Sequence, residues 1–439
     1  MEQPDLESIV EQALALARRR GATAAEAGVG TGSGLSVTVR LGEVETLEYQ
    51  RDRSLGVTVY VGQRKGSAST ANLTPSAIEE TVTKALSIAS FTAEDEYSGL
   101  PDAGLMAHEL PDLDLCHPWD IDAPGAIELA QHCEAAGLAV DPRIQNSEGA
   151  TVATHRNMRV FGNSHGFIGG YPSTSHTVSC VLLGQANGDM QRDYWYTAAR
   201  DWRELEDVEE VGRKAAGRAI GRLGAGKLPT RKAPILFAPE MARGLIGHFV
   251  GAIGGGAQYR RSSFLLDAAG QQVFPPGISL SERPHLQGAL GSAPFDGEGV
   301  ATRDRDLVVN GVLTGYLLDA YSARKLGLTT TGNAGGVHNL VVQGDRFDHD
   351  ALLQRLGTGL LVTEMMGQGV NPVTGDYSRG ASGFWIEKGV VDRPVHEITV
   401  AGNLRDMYHG IVALGDDLDY RGAIHCGSIL IEQMTIAGA

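Results

Sequence analysis

The 439 residues include only four cysteines, Cys116, Cys133, Cys180 and Cys426, with no CxxC pair among them. A chain of this length buries a core without disulfides, and so few cysteines fit a reducing compartment. No stretch approaches eighteen consecutive apolar residues, so no helix is expected to span a membrane. No block of like charge marks an acidic tail or a basic arm. Cations are in deficit: 37 Lys and Arg stand against 53 Asp and Glu, a formal charge of −16. Such a surface repels phosphate backbones and disfavours nonspecific nucleic-acid binding. Neither HExxH nor HExxxH occurs anywhere. The opening Met1-Glu2-Gln3-Pro4-Asp5 is polar and lacks a signal-peptide pattern, so a cytoplasmic location is expected.

What the chain has in excess is glycine, 58 residues spread along its length. That distribution predicts many tight turns and bulges in a β-rich protein. Residues 6–20 carry apolar side chains at helical spacing, and Thr74-Pro75 opens a second helix. Between them, residues 35–40 and 56–62 alternate as strands do. Residues 91–124 read as an irregular linker or covering loop. A third helix is expected near 126–136 and a charged one over 201–223. Asn146-Ser-Glu-Gly149 and Asn163-Ser-His-Gly166 echo one another, and both read as hairpin turns. Past Gly224 come a buried strand at 234–237, a helix from Pro239, an Asn310-Gly311 hairpin, and strands near 395–400 and 428–436. Short helices are expected at 320–326 and 350–356. The class is α+β, divided into residues 1–224 and 225–439 with a sub-boundary in the 91–124 linker. The first part is expected to be an α/β-type region of helices and short strands. The second is expected to be mostly antiparallel β.

Several catalytic patterns fit in letters and fail in context. Gly162-Asn-Ser-His-Gly166 matches G-x-S-x-G, but Phe167-Ile-Gly-Gly-Tyr-Pro172 is a poor helix start for a nucleophile elbow. Gly221 to Lys227 matches G-x-x-x-x-G-K, but Leu228 replaces the Ser or Thr that holds magnesium, and the segment ends a helix instead of opening one. A glycine C-cap is the better reading. Gly28 to Gly34 breaks dinucleotide spacing. The adjacent pairs Cys116-His117, His132-Cys133 and His425-Cys426 lack metal-ligand gaps, and each reads as a core cysteine beside a surface histidine. His248 has two readings: a solvent-facing residue on a helix that packs through Gly244, Gly247 and Gly251, or a residue lining a cavity. The residues by themselves favour the first.

A series of phrases in the second half carries more. They are Gly315-Tyr-Leu-Leu-Asp-Ala-Tyr-Ser-Ala-Arg-Lys-Leu-Gly327, Thr330-Thr-Gly-Asn333, Glu364-Met-Met-Gly-Gln-Gly-Val-Asn371, Thr374-Gly-Asp-Tyr-Ser-Arg-Gly380, Gly383-Phe-Trp385 and Ile398-Thr-Val-Ala-Gly-Asn-Leu404. In this order and spacing they resemble the TldD/PmbA family, also called modulators of DNA gyrase. The resemblance covers essentially the whole chain. It implies two kinds of subunit. TldD-type chains hold zinc through a helical HExxxH and a cysteine near the C-terminus, with the glutamate as base on zinc-bound water. TldE-type chains lack these ligands, pair with TldD, and complete a chamber that admits small or unfolded peptides.

Anchored on Arg260-Arg261, the ligand positions fall on Gly247 and Ala252, and the glutamate position on His248. Neither glycine nor alanine has a side-chain lone pair to donate. Residues five apart on a regular helix differ by roughly 140°, so HExxxH needs a local distortion, which Gly247, Gly251 and Gly254 to Gly256 would permit. Cys426 reads as structural. The resemblance therefore implies a TldE/PmbA-type subunit with no catalytic and no metal residues of its own. Zinc is expected in a TldD-type partner, peptide is the expected substrate, and self-association as a homodimer through the partner surface stays open for the chain alone. Chamber-facing candidates are His248, Arg260, Arg261, Asp376, Tyr377 and Arg379, and for each the plainer alternative is a structural role, such as Arg379 pairing with Asp376. Competing readings are a stand-alone peptidase with another site and a gyrase-binding regulator.

Overall fold

The computed structural model describes residues 2–438. The chain begins with α1 (Gln3–Arg19), β1 (Ala24–Arg40), β2 (Glu43–Val61), β3 (Arg64–Thr70) and α2 (Pro75–Phe91). The linker that follows is irregular, as expected, with one short 3-10 turn at Ala103–Leu105. Next come α3 (Ala123–Leu138), β4 (Ile144–Asn163), β5 (Ile168–Ala186), β6 (Asp189–Ala199) and α4 (Val208–Gly221). The second half opens with β7 (Arg231–Phe237), α5 (Pro239–Ala252) and α6 (Gly255–Tyr259). It continues through β8 (Ser279–Glu282), β9 (Arg305–Val309), β10 (Val312–Leu313), α7 (Ala320–Leu326), β11 (Leu340–Gln343), β12 (Arg346–Phe347) and α8 (His349–Leu356). Last are β13 (Gly359–Met366), β14 (Asp376–Glu387), β15 (Val390–Asn403), α9 (Leu404–His409), β16 (Ile411–Gly415), β17 (Ile424–His425) and β18 (Ile429–Ala437).

Strands β1 to β6 form one antiparallel sheet in the order β3-β2-β1-β4-β5-β6. The α+β class holds, but the strands of this half are not short: β1 has 17 residues, β2 19, β4 20 and β5 19. Thr31 and Ser33 break the apolar alternation, and the run of glycines at 28, 30, 32 and 34 hid this length further by its loop-like composition. These glycines lie inside β1, and a Cβ on Gly34 would come 2.3 Å from the His155 ring of the neighbouring strand. Odd-numbered β1 residues share one face of the sheet. Ala25, Ala27 and Val29 are buried under α1 and α2, and Leu35, Val37 and Val39 under α3 and α4. Thr31 and Ser33 stay uncovered between the two helix pairs.

Two local expectations need correction. Asn146 to Gly149 is not a turn; it lies within β4 at two bulges, with Gly149 at φ +110. Asn163 to Gly166 is the turn, and there the Gly166 N–H donates to the Asn163 carbonyl at 3.1 Å. The charged helix starts only at Val208, because the Asp207 carboxylate accepts from the Glu209 and Glu210 N–H groups and caps it there.

In the second half β7, β13, β14, β15 and β18 pair in succession, and β18 also pairs back onto β7. Five strands thus close into a ring, with β16 and β12 extending from β18. A second sheet runs β10-β9-β8-β11-β17. Asn310 and Gly311, both at positive φ, make the tight β9–β10 turn that their sequence predicts. Most pairings are antiparallel; β7·β13, β11·β17 and β12·β16 are parallel. Helix α5 packs on this framework through Phe249, whose ring lies 5.1 Å from Phe274 and 6.1 Å from Tyr408.

Many contacts tie the two halves, among them Arg222 with Glu364, Arg200 with the Leu290 carbonyl, and the two groups that follow. Arg324 donates to the carbonyls of Tyr97, Gly99 and Leu100 in the linker, and the Tyr321 hydroxyl donates to Asp95 at 2.7 Å. Arg421 donates to the Tyr196 carbonyl at 2.8 Å and lies over the Trp195 and Tyr196 rings.

Candidate functional site

Helix α5 begins where Pro239 supplies a preset φ at a position that needs no N–H donor. Ala242, Leu245, Ile246, Phe249 and Ala252 recur at helical spacing and are buried. The helix stops at Ile253, and the Gly255 N–H turns away to the Leu317 carbonyl at 2.8 Å. The opposite side is bare: a Cβ added to Gly244, Gly247 or Gly251 would meet nothing within 4 Å.

His248 sits at the border between these sides, half-buried. Its ring stands edge-on to Tyr377, with centroids 6.1 Å apart and planes at 77°. Its Nε2 is buried and has no hydrogen-bond partner. A buried polar atom left in that state costs about 1–3 kcal/mol. Burial, and then the Arg379 charge, hold the imidazole below its ordinary pKa and keep it neutral.

Strand β14 supplies the other wall. Period-two alternation sends Tyr377 and Arg379 to the same face. Tyr377 is only 3% exposed, and burial pushes its hydroxyl up to about 12 against the pull of the adjacent Arg379. The Arg379 Nε donates to the Gly367 carbonyl at 3.0 Å. Behind this layer Tyr408 is buried, with its hydroxyl donating to the Leu245 carbonyl at 3.0 Å. Three of the six candidates, His248, Tyr377 and Arg379, thus come together from two distant segments.

The other three have local partners. Asp376 is exposed and accepts from Thr374 Oγ1 at 2.6 Å and Asn403 Nδ2 at 3.3 Å. The expected Asp376–Arg379 pair does not form, because residues an odd number of positions apart on β14 point to opposite faces. Arg260 is exposed and lies over Tyr259 at 5.2 Å. Arg261 is exposed, at φ +54, with Asp267 3.7 Å away.

The residues at the HExxxH-equivalent positions do not fit zinc. Gly247 faces open space, whereas Ala252 is 2% exposed in the core and its carbonyl is taken by Gln258 and Ser263. α5 stays regular through Ala252, so the distortion that the glycines were expected to permit is absent and the two positions face different ways. The neighbouring cation is Arg379, which would repel a metal ion. Among the described residues no three His, Cys, Asp or Glu side chains converge on a possible ion position.

The Cys/His pairs divide. His132 is exposed and Cys133 buried, as expected. His425 is instead buried with Cys426, held by the Gly422 carbonyl at 3.1 Å and the Tyr420 ring. Cys116 is only half-buried, and His117 lies between Asp114 and Asp201 at 3.2 and 3.5 Å. The phrase Thr330 to Asn333 serves the framework, since Asn333 donates to the buried Glu282 at 2.7 Å and accepts from Arg305 at 2.6 Å.

One group escaped the sequence reading. Glu298 is pushed up to about 7 by burial, with Asp296, Asp319 and Glu26 adding to the rise, although its carboxylate accepts from the Ala320 N–H at 2.9 Å. Asp296 is two residues away, whereas Asp319 and Glu26 come from other segments that no spacing connects.

Comparison with known proteins places this fold among metallopeptidase-type chains. Residues 25–89, 116–223 and 230–438 match, in turn, domain 1, the central domain and the C-terminal domain of the PmbA/TldA metallopeptidases. The chain is 50% identical over 433 residues to the metalloprotease PmbA of Escherichia coli O157:H7, covering 99% of this chain and 96% of that one. A crystal structure from Bacteroides thetaiotaomicron, described as that of a candidate modulator of DNA gyrase, superposes with a TM-score of 0.94 at 28% identity, covering 100% of both chains. TldE of Thermococcus kodakarensis shares the fold, with a TM-score of 0.83 at 19% identity and coverage of 98% of this chain and 100% of that one. The chain belongs to the PmbA/TldD family. Among the described residues no helix is long and apolar enough to cross a membrane.

Proposed function

We propose that this chain is the non-catalytic, TldE/PmbA-type subunit of a cytoplasmic two-subunit zinc metallopeptidase. A TldD-type partner supplies the metal and the chemistry, and this chain completes the chamber and contacts the peptide. The observation that carries the reading is at α5. Where a metallopeptidase of this family would present two ligands, this helix offers a bare backbone to solvent and a methyl group to the core. His248, Tyr377 and Arg379 contain no metal-activating carboxylate and no activated nucleophile. The experiment is reconstitution. The purified chain, alone, is expected to hold zinc well below one equivalent and to cleave no unfolded peptide. Mixed with a TldD-type subunit it is expected to support cleavage that a chelator abolishes. Stoichiometric zinc, or robust hydrolysis by the homogeneous chain, overturns the reading.

A stand-alone peptidase is the second reading, favoured by the name metalloprotease carried by the 50%-identical relative. The same zinc assay, with an inhibitor panel on the isolated chain, separates the two.

A further inference from the structure

The half-buried arginines of this protein mostly face acids. Arg222 meets Glu364, Arg243 meets Asp419, and Arg421 meets Asp419 and Glu240. Arg379 does not. Its Nε donates to the Gly367 carbonyl and its guanidinium neighbours the Tyr377 hydroxyl, and among the described residues no carboxylate pairs with it. Among those residues the charge that acts on His248 and Tyr377 is Arg379 itself, and no carboxylate contributes at either ring. Asp376, three residues away, is turned to the opposite face and occupied there. In a chain of formal charge −16, this is a cationic spot walled by two further hydrogen-bonding side chains.

We infer that Arg379, with Tyr377 and His248 beside it, is a subsite for a peptide carboxylate, reached along the bare glycine side of α5. The inference rests on the peptide-contacting role proposed above. The guanidinium fork matches a carboxylate with two parallel hydrogen bonds. A single arginine, with no lysine beside it, suits one negative charge better than a doubly charged phosphate in an acidic protein. The His248 ring, edge-on to Tyr377, forms the inner wall of the subsite, with its unsatisfied Nε2 buried behind. Gly244, Gly247 and Gly251 leave open space, so an extended backbone can approach the helix without meeting side chains. The carboxylate is that of a C-terminus or of an acidic side chain, and the two sources are distinguishable.

The test is binding to the isolated full-length chain, read by fluorescence anisotropy. Three labelled peptides of one neutral sequence are used: free C-terminal acid, C-terminal amide, and the amide with one internal Glu. The free acid is expected to bind about tenfold or more tightly than the plain amide, the scale of a charge-assisted pair. Arg379→Gln is expected to erase that difference. Tyr377→Phe, which keeps the ring and its packing, is expected to reduce it with an unchanged melting curve. If the Glu-bearing amide binds like the free acid, the same subsite is supported and a side chain is its source. Equal binding of all three peptides overturns the inference, as does a preference that survives Arg379→Gln, or no binding up to millimolar peptide. None of these failures touches the companion-subunit reading, which stands or falls on zinc content and on cleavage with the partner.

Discussion

His248 is held neutral with a ring nitrogen that nothing satisfies, an arrangement that costs stability. His248→Phe keeps the flat ring and removes that nitrogen, so a rise in thermal midpoint of a few degrees is expected, equivalent to about 1 kcal/mol. The sign with pH follows from the depressed pKa. As pH falls below about 6.5 the unfolded chain takes up the proton first, so the stability associated with the neutral ring is complete above that pH and lost below it. The gain from His248→Phe should therefore be larger at pH 5 than at pH 8, in paired calorimetric scans. Glu298 has the opposite sign. Its carboxyl is raised from 4.5 to about 7, so folding favours the protonated acid and stability falls as pH climbs through that window. Glu298→Gln retains an oxygen to accept from the Ala320 N–H. It should stabilise the protein at pH 8 by roughly 3 kcal/mol at most, and by little at pH 4, as urea midpoints would show. These two residues mark what the sequence did and did not reveal. Tyr377 and Arg379 were visible because they lie in a recognisable phrase, and His248 because it stands among the glycines of its helix. That Arg379 joins His248, and not Asp376, follows from strand parity once β14 is known. Glu298 depends first on burial, which no local pattern encodes, and then on Asp296 beside it and the remote Asp319 and Glu26.

Among the elements, α5 and the α3–α4 pair use glycine for opposite purposes. Gly247 on α5 has open space where a Cβ would go, so Gly247→Ala should stabilise by about 0.5–1 kcal/mol through helix propensity alone. In α4, a Cβ on Gly212 would lie 1.9 Å from the Cys133 carbonyl oxygen of α3. Gly212→Ala must push the helices apart and is expected to cost at least about 1–3 kcal/mol. Chemical denaturation of both variants checks the contrast, and a neutral Gly212→Ala would contradict the packing. Element types were legible from periodicity, capping and turn residues: Pro75, Pro239 and Asn310-Gly311 each do what their chemistry dictates. Strand length was not. The glycines of β1 serve neighbouring side chains across the sheet, and the β4 bulges at Asn146 to Gly149 imitate a turn in sequence.

For the molecule as a whole, Arg421 is one of the main fastenings between halves. It holds the Tyr196 carbonyl, lies over Trp195 and Tyr196, and pairs with Asp419, which is otherwise left to Arg243. Removing one partner of such a buried pair typically costs about 3–5 kcal/mol. Arg421→Ala is expected to separate the unfolding of residues 1–224 from that of 225–439, turning one thermal transition into two and exposing the connection to limited proteolysis. A single sharp transition in the variant would argue against that division of the chain.

The ring of the second half is sealed by β18, which follows the other four strands in chain order and joins β15 and β16 to β7, the first of them. About two hundred residues must therefore wait for a seam that only β18 provides. Until that strand leaves the ribosome, the flanks of β7 and β15 are open strand edges, the kind of surface that attracts chaperones and other nascent chains. Synthesis from the amino end thus leaves this half an unclosed ring until β18 has emerged, whatever the speed of its local folding.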